Sequence, residues 1–192
     1  MLRRHLLQSS LLLVGCSGAV HESTASSGAV HSSTPRPSPF DDTVGLTTRA
    51  AIEARHEHWR SADSAPVRAM SEALANVPPG AEVDVFLGTW CGDSRQQITR
   101  LFVALEIAES PHPLPFSLRY IAVDRLKHAF DAETNRELTE GQDIRFVPTI
   151  IVRRAGAEVG RIVEHPTRSI EEDLLDLLRG TRTGFLSLTR MA

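Results

Sequence analysis

Apolar positions along this chain change their spacing several times, and each change predicts an element. Between 46 and 77 they recur at helical intervals, with Ile52, His56 and Trp59 sharing one stripe. After a break at Ala65-Pro66, a second stripe carries Val67, Met70, Leu74 and Val77, and Pro78-Pro79-Gly80 ends it. The short, nearly continuous apolar run over 82–89 reads as a buried strand. A helical period returns over 92–108, with Ile98, Leu101, Phe102, Leu105 and Ile107 mostly on one side. Pro111, Pro113 and Pro115 make a loop before a strand over 116–123. The stretch 126–142 is helix-prone with a break near Asp131, and strands over 147–153 and 158–163 join as a hairpin around Ala155-Gly156. A last helix opens on Ser169-Ile170-Glu171-Glu172, a capping box, buries Ile170, Leu174, Leu177 and Leu178, and stops at Gly180. Residues 181–192 carry no strong pattern. Strands alternating with helices predict parallel pairing and the hairpin adds an antiparallel edge. The expectation is therefore an α/β fold with a mixed sheet and two extra N-terminal helices.

The first residues follow different rules. Met1-Leu2-Arg3-Arg4-His5 is basic, and the apolar segment over 6–14 is too short to cross a bilayer as a mature helix. Leu13-Val14-Gly15-Cys16 resembles a bacterial lipobox, and an ordinary secretory signal is the alternative. The resemblance implies a signal peptide over 1–16, a lipidated Cys16 and a membrane anchor through it. It also implies a place in the bacterial cell envelope, with Ser17 favouring the outer membrane, facing the periplasm. Residues 17–45 read as a disordered tether, rich in Ser, Thr, Gly, Ala and Pro through most of its length. Within it Ser17-Gly18-Ala19-Val20-His21 recurs as Ser27-Gly28-Ala29-Val30-His31. Such composition buries too little apolar surface to offset chain entropy.

Composition narrows the function classes. The formal charge is -3, with no basic stripe or nucleic-acid motif, so a nucleic-acid partner is not expected. His56 and His58 are two apart and diverge on a helix, which makes a poor metal pair. No Gly-rich phosphate loop, paired catalytic carboxylates or metal-spaced cluster stands out, so neither metal nor cofactor is expected. Asp124-Arg125 closes a strand where α/β ligands often bind, but a structural ion pair is an equally natural reading. The chain has two cysteines, Cys16 and Cys91. With Cys16 lipidated, Cys91 is a lone thiol in an oxidising compartment and has no partner for an internal disulfide.

Cys91 sits where the strand pattern ends and the helix pattern starts. Free backbone N–H groups and the helix dipole at such a place favour thiolate over thiol. Asp93 nearby opposes that charge and Arg95 favours it. Ser94 occupies the position where a Cys-x-x-Cys dithiol would carry its second sulfur. Ser94 can donate a hydrogen bond to a thiolate but cannot form a disulfide.

Residues 81–180 resemble a thioredoxin-like domain, with 46–80 as an N-terminal helical extension and 181–192 as a tail. Thr89-Trp90-Cys91-Gly92-Asp93-Ser94 is similar to the family's Trp-Cys-Gly-x-Cys, and Phe146-Val147-Pro148-Thr149-Ile150 resembles its cis-proline segment. The Trp-Cys-Gly-Asp-Ser form, with Gly160-Arg161-Ile162-Val163-Glu164, looks more like a group of uncharacterised bacterial thioredoxin-like proteins. The resemblance implies a three-layer sandwich around a central mixed sheet. Cys91 would be the nucleophile, Ser94 its catalytic neighbour, and Trp90 a wall beside the sulfur. The Val147-Pro148 loop would bind substrate, with the Val147 backbone pairing with an extended segment. The family's buried acid aligns with Val85, and Asp84 faces the other way under strand alternation. A single cysteine cannot resolve its own mixed disulfide, so an external thiol must attack it. The expected function is monothiol exchange, reducing or isomerising disulfides or oxidised cysteines of envelope proteins with an external thiol reductant. Two alternatives stand beside it: a non-catalytic binding module in which Cys91 only packs, and a peroxide-sensing cysteine that forms a sulfenic acid.

Overall fold

The segment Ala81–Leu87 (β2) is apolar at five of its seven positions and buried at all but Glu82, as a strand covered on both faces is. In the computed structural model, which describes residues 42–188, it lies at the centre of a six-stranded mixed sheet. The strand order is β1-β3-β2-β4-β5-β6, where the others are β1 (Gly45–Thr47), β3 (Phe116–Ala122), β4 (Thr149–Arg154), β5 (Ala157–Val163) and β6 (Gly184–Leu186). β2 runs parallel to β3 and antiparallel to β4, and β4 and β5 form the expected antiparallel hairpin. The α-helices among the described residues are α1 (Arg49–Arg55), α2 (Arg68–Leu74), α3 (Gly92–Ala108) and α4 (Ile170–Arg179).

Alternation along β2 separates two cores. Val83, Val85 and Leu87 join Ile98, Leu101, Phe102 and Leu105 of α3 and Leu174, Leu177 and Leu178 of α4. Ile52, Trp59 and Leu74 enter this same cluster, so the N-terminal helices share the core of the sheet. On the opposite face Phe86, Ile121, Val123, Ala129, Val147 and Ile151 form a second cluster, against which Trp90 and Cys91 pack. α4 is capped as its sequence predicts: Ser169 Oγ accepts from the Glu172 N–H, and Gly180 ends the helix at φ 70°.

Several expectations need correction. Residues 126–142 form no helix, so the second face is covered by an irregular segment in place of a helical third layer. The cause is local. Asp124 Oδ1 accepts from the N–H groups of Leu126 and His128, and Asp131 Oδ1 from those of Glu133 and Thr134. These side chains satisfy the donors in turns before a helix can use them. Gly45–Thr47, expected at the junction of tether and helix, is an edge strand antiparallel to β3. Gly184–Leu186, expected to be patternless tail, pairs in parallel with β5. That pairing depends on Gly160, where a Cβ would lie 2.4 Å from the Gly184 carbonyl oxygen. α1 ends at Arg55, and Trp59 is reached through a 3-10 turn over Glu57–Trp59, although Ile52, His56 and Trp59 are all buried as expected. Val67 is the exposed N-cap of α2 instead of a core residue. β4 begins at Thr149, two residues later than expected. The signal peptide, Cys16 and nearly all of the tether lie outside the described residues, as do 189–192.

Candidate thiol site

β2 ends at Leu87, and a tight turn closed by the Cys91 N–H on the Gly88 carbonyl (2.9 Å) reverses the chain. Cys91 is then the N-cap of α3, extended at φ -97° and ψ 126°, and its carbonyl accepts the first helical bond from the Arg95 N–H at 3.0 Å. The half-buried Cys91 meets the loop that leads into β4, where its thiol donates to the Val147 carbonyl at 3.4 Å. The Val147–Pro148 bond is cis. The structure therefore brings together Trp90, Cys91, Val147 and Pro148, which lie far apart in sequence. Val147 itself is only 3 % exposed.

Trp90 is fixed from three sides. Its indole N–H donates to the Val123 carbonyl at 3.0 Å, and its ring lies against Gly88, where an added Cβ would sit 2.7 Å from the indole. Arg125 and Lys127 stand over the ring at 5.2 and 5.4 Å from its centroid. Arg125 also reaches Asp42 at 3.6 Å, so its ion pair is with Asp42, and Asp124 instead closes its own turn. Lys127 holds a left-handed backbone at φ 71° and donates to the Arg125 carbonyl. Among sequence patterns only the Asp124-Arg125 pair pointed to this rim.

Ser94 holds the turn from inside. It is fully buried, and its Oγ accepts from the Gly88 N–H at 3.1 Å, so it braces the turn under the sulfur. Val85 is buried on the helical face, as alternation requires. Asp84 faces the other way and is 3 % exposed, held by Arg119 Nε and Nη2 at 2.7 and 2.8 Å and by Arg153 at 2.6 Å. It is a structural anchor between β2, β3 and β4.

The charged groups nearest the start of α3 are already engaged. Arg95 makes a two-pronged pair with Asp63 at 2.9 and 2.7 Å. Asp93 faces His165, with 3.9 Å between Oδ1 and Nε2, and both side chains are nearly half exposed. His165 follows Glu164, a left-handed residue at φ 52° whose N–H donates to the Pro148 carbonyl at 2.7 Å. The loop carrying His165 is thus tied to the loop that meets the sulfur. His165 also lines a cavity of about 330 Å3 with Ser64, Gln96, Gln97, Arg100 and Arg168. Sequence reasoning missed His165, because nothing in its local pattern marks a residue that tertiary contact alone brings to Asp93.

His56 and His58 meet edge to ring at 6.0 Å, and His56 is buried and bonded to Thr43 Oγ1. Among the described residues no group of three or more His, Cys, Asp or Glu side chains is arranged to hold a metal, and no helix is long and apolar enough to cross a membrane.

No protein-family model and no curated protein matches the chain. Two solved structures are similar to it at 20 % identity over 71 % of its length. One is a protein of unknown function from Pseudomonas aeruginosa, 86 % covered with a TM-score of 0.42. The other is an HIV epitope scaffold, 78 % covered with a TM-score of 0.37. Likeness at this level says nothing about chemistry.

Proposed function

We propose that this chain carries a thioredoxin-like domain that performs monothiol thiol–disulfide exchange through Cys91. The observation that carries the reading is the seat of the sulfur, half-buried at the head of α3 and 3.4 Å from the carbonyl that precedes Pro148. Attack by Cys91 on a substrate disulfide forms a mixed disulfide and releases one substrate thiolate. An external thiol then breaks the mixed disulfide, since no second cysteine lies on α3. Trp90 and the Val147-Pro148 loop are the substrate contacts, and Ser94 supports the turn. Phe146, exposed beside that loop, adds an apolar contact for a protein substrate. The reading needs no cofactor. Its cellular part rests on Leu13-Val14-Gly15-Cys16: a lipidated Cys16 anchors the domain in the bacterial envelope, at the outer membrane facing the periplasm, among proteins with disulfides or oxidised cysteines.

One observation favours a second reading. The thiol is occupied by the Val147 carbonyl, which suits a binding module whose groove holds a partner without chemistry. Substrate trapping separates the two. Wild type is expected to accumulate disulfide-linked partners that an added thiol releases, and Cys91→Ala to accumulate none. Equal trapping by both proteins contradicts the exchange reading.

A further inference from the structure

We propose that the small pocket walled by Phe146 and Phe185 holds one aliphatic side chain of the protein substrate, two or three residues from the cysteine that Cys91 attacks. The inference deepens the exchange reading above and rests on it. It makes Phe185, on β6, a residue that selects substrates.

The pocket opens on the same face and at the same end of the sheet as the thiol. Thr149, the first residue of β4, pairs with Phe86 near the end of β2 and with Val163, the last residue of β5. That is the end of the sheet at which Cys91 follows β2. Ile162 and Leu186 belong to the helical core, so their neighbours Val163 and Phe185 face the other side, where Trp90 and Cys91 pack. Phe146 makes the nearest wall. It directly precedes Val147, whose carbonyl meets the Cys91 thiol, and its own carbonyl accepts from Thr149 Oγ1 at 2.7 Å. Phe185 makes the far wall, and it is in place because Gly160 leaves room for β6. From β4 to β6 is two strand spacings, about 10 Å, which an extended segment covers in two or three residues of about 3.3 Å each. A substrate whose sulfur has reached Cys91 already lies against Val147-Pro148, so its next residues reach the pocket without a separate docking surface.

The lining decides what enters. The pocket holds about 110 Å3, well below the roughly 300 Å3 at which small-molecule sites begin, so it takes a single side chain. Its polar groups are already engaged. Arg161 gives Nε and Nη2 to Glu158 at 2.7 and 2.6 Å, and Nη1 to the Gln142 carbonyl at 2.9 Å. Arg145 Nε donates to Asp143 at 2.8 Å, and the Thr149 hydroxyl is taken by Phe146. Each cation thus has its carboxylate, and an anionic occupant would have to displace one. What remains is Val163 and the two rings, 37 % and 43 % exposed, which an aliphatic group covers favourably.

The test uses the full chain and alanine heptapeptides whose central cysteine carries 5-thio-2-nitrobenzoate. The Cys91 sulfur attacks the peptide sulfur and gives its proton to water. Thionitrobenzoate leaves with the electron pair of the broken S–S bond, so one disulfide is exchanged for another with no net oxidation. Leucine replaces alanine at each position in turn, release is followed by absorbance, and mass identifies the adduct. Wild type is expected to react about tenfold faster with leucine than with alanine at one position, two or three residues from the cysteine. Phe185→Ala is expected to bring that ratio to within about twofold, and Phe185→Leu to restore most of it. Photo-leucine at the favoured position of the wild-type adduct is expected to cross-link to Phe146 or Phe185. Aspartate there is expected to bring no gain.

Adducts that form without positional preference, or with one that Phe185→Ala leaves intact, overturn the role of the pocket while the exchange reading survives. A cross-link elsewhere does the same. So does a wild-type dimer in sedimentation that Phe185→Ala dissociates, since a second copy would then cover the rings. A gain from aspartate equal to that from leucine overturns the aliphatic assignment. If no peptide yields an adduct with Cys91, the pocket and the exchange reading fall together.

Discussion

Ser94 Oγ accepts its hydrogen bond from the Gly88 N–H at 3.1 Å, inside the turn that carries Cys91, and both groups are buried. The serine three residues beyond Cys91 is therefore part of the scaffold of the turn. Its loss leaves a buried N–H without a partner, which costs about 1–3 kcal/mol. Ser94→Ala is expected to lower stability by that amount in urea unfolding and to leave the rate of Cys91 alkylation in the folded protein unchanged. A slowed alkylation at unchanged stability would assign Ser94 to the sulfur instead.

Gly88 is fixed by the indole of Trp90. A Cβ there would approach the ring to 2.7–2.9 Å, well inside contact distance, so Gly88→Ala must displace Trp90 or the turn. The displacement breaks the Trp90–Val123 bond and opens the wall beside the sulfur. The variant is expected to lose about 1–3 kcal/mol and to show red-shifted Trp90 fluorescence. Trp59, fully buried in the other core, serves as the internal reference when the experiment is repeated in Trp90→Phe.

Glu171 ties three helices together. Its carboxylate receives Arg100 at 2.6 and 3.0 Å and the Val67 N–H at 2.8 Å, linking α4, α3 and the start of α2. Burial works to raise its carboxyl, but the Arg100 and Val67 bonds outweigh burial and hold it below the ordinary value of 4.5. A carboxylate lowered in the folded state adds stability that is complete above the unfolded value and lost as pH falls through the folded one. Wild-type stability is thus expected to decline as the pH drops below about 4.5. Glu171→Gln is expected to cost about 3 kcal/mol at neutral pH and to flatten that acid decline. A decline just as steep in the variant would move its origin to other carboxylates.

The same contrast between local and tertiary causes explains what was readable from sequence. β2, α3 and α4 were legible because one spacing of apolar residues runs through each, and Ser169 and Gly180 mark the ends of α4 by local chemistry alone. The motif around Cys91 was legible for the same reason. β1 and β6 were not, because three residues each carry no period, and pairing with β3 and β5 forms them. The helix expected over 126–142 does not form, because Asp124 and Asp131 hold the chain in turns through their side chains and helical propensity alone does not register those bonds. Which atom the Ser94 Oγ meets depends on the path of the turn, which local sequence does not reveal. His165 was invisible, since only the folding of the chain after β5 carries it to Asp93.

The account stands on an available sulfur at Cys91, and the most direct measurement is its alkylation rate by iodoacetamide at neutral pH, folded against unfolded in urea, followed on the Cys91 peptide by mass. Thiol exchange predicts a folded rate within a few-fold of the unfolded rate or above it, because Cys91 is only partly buried. A folded rate about tenfold or more below the unfolded rate would contradict it and leave Cys91 as an inert packing residue.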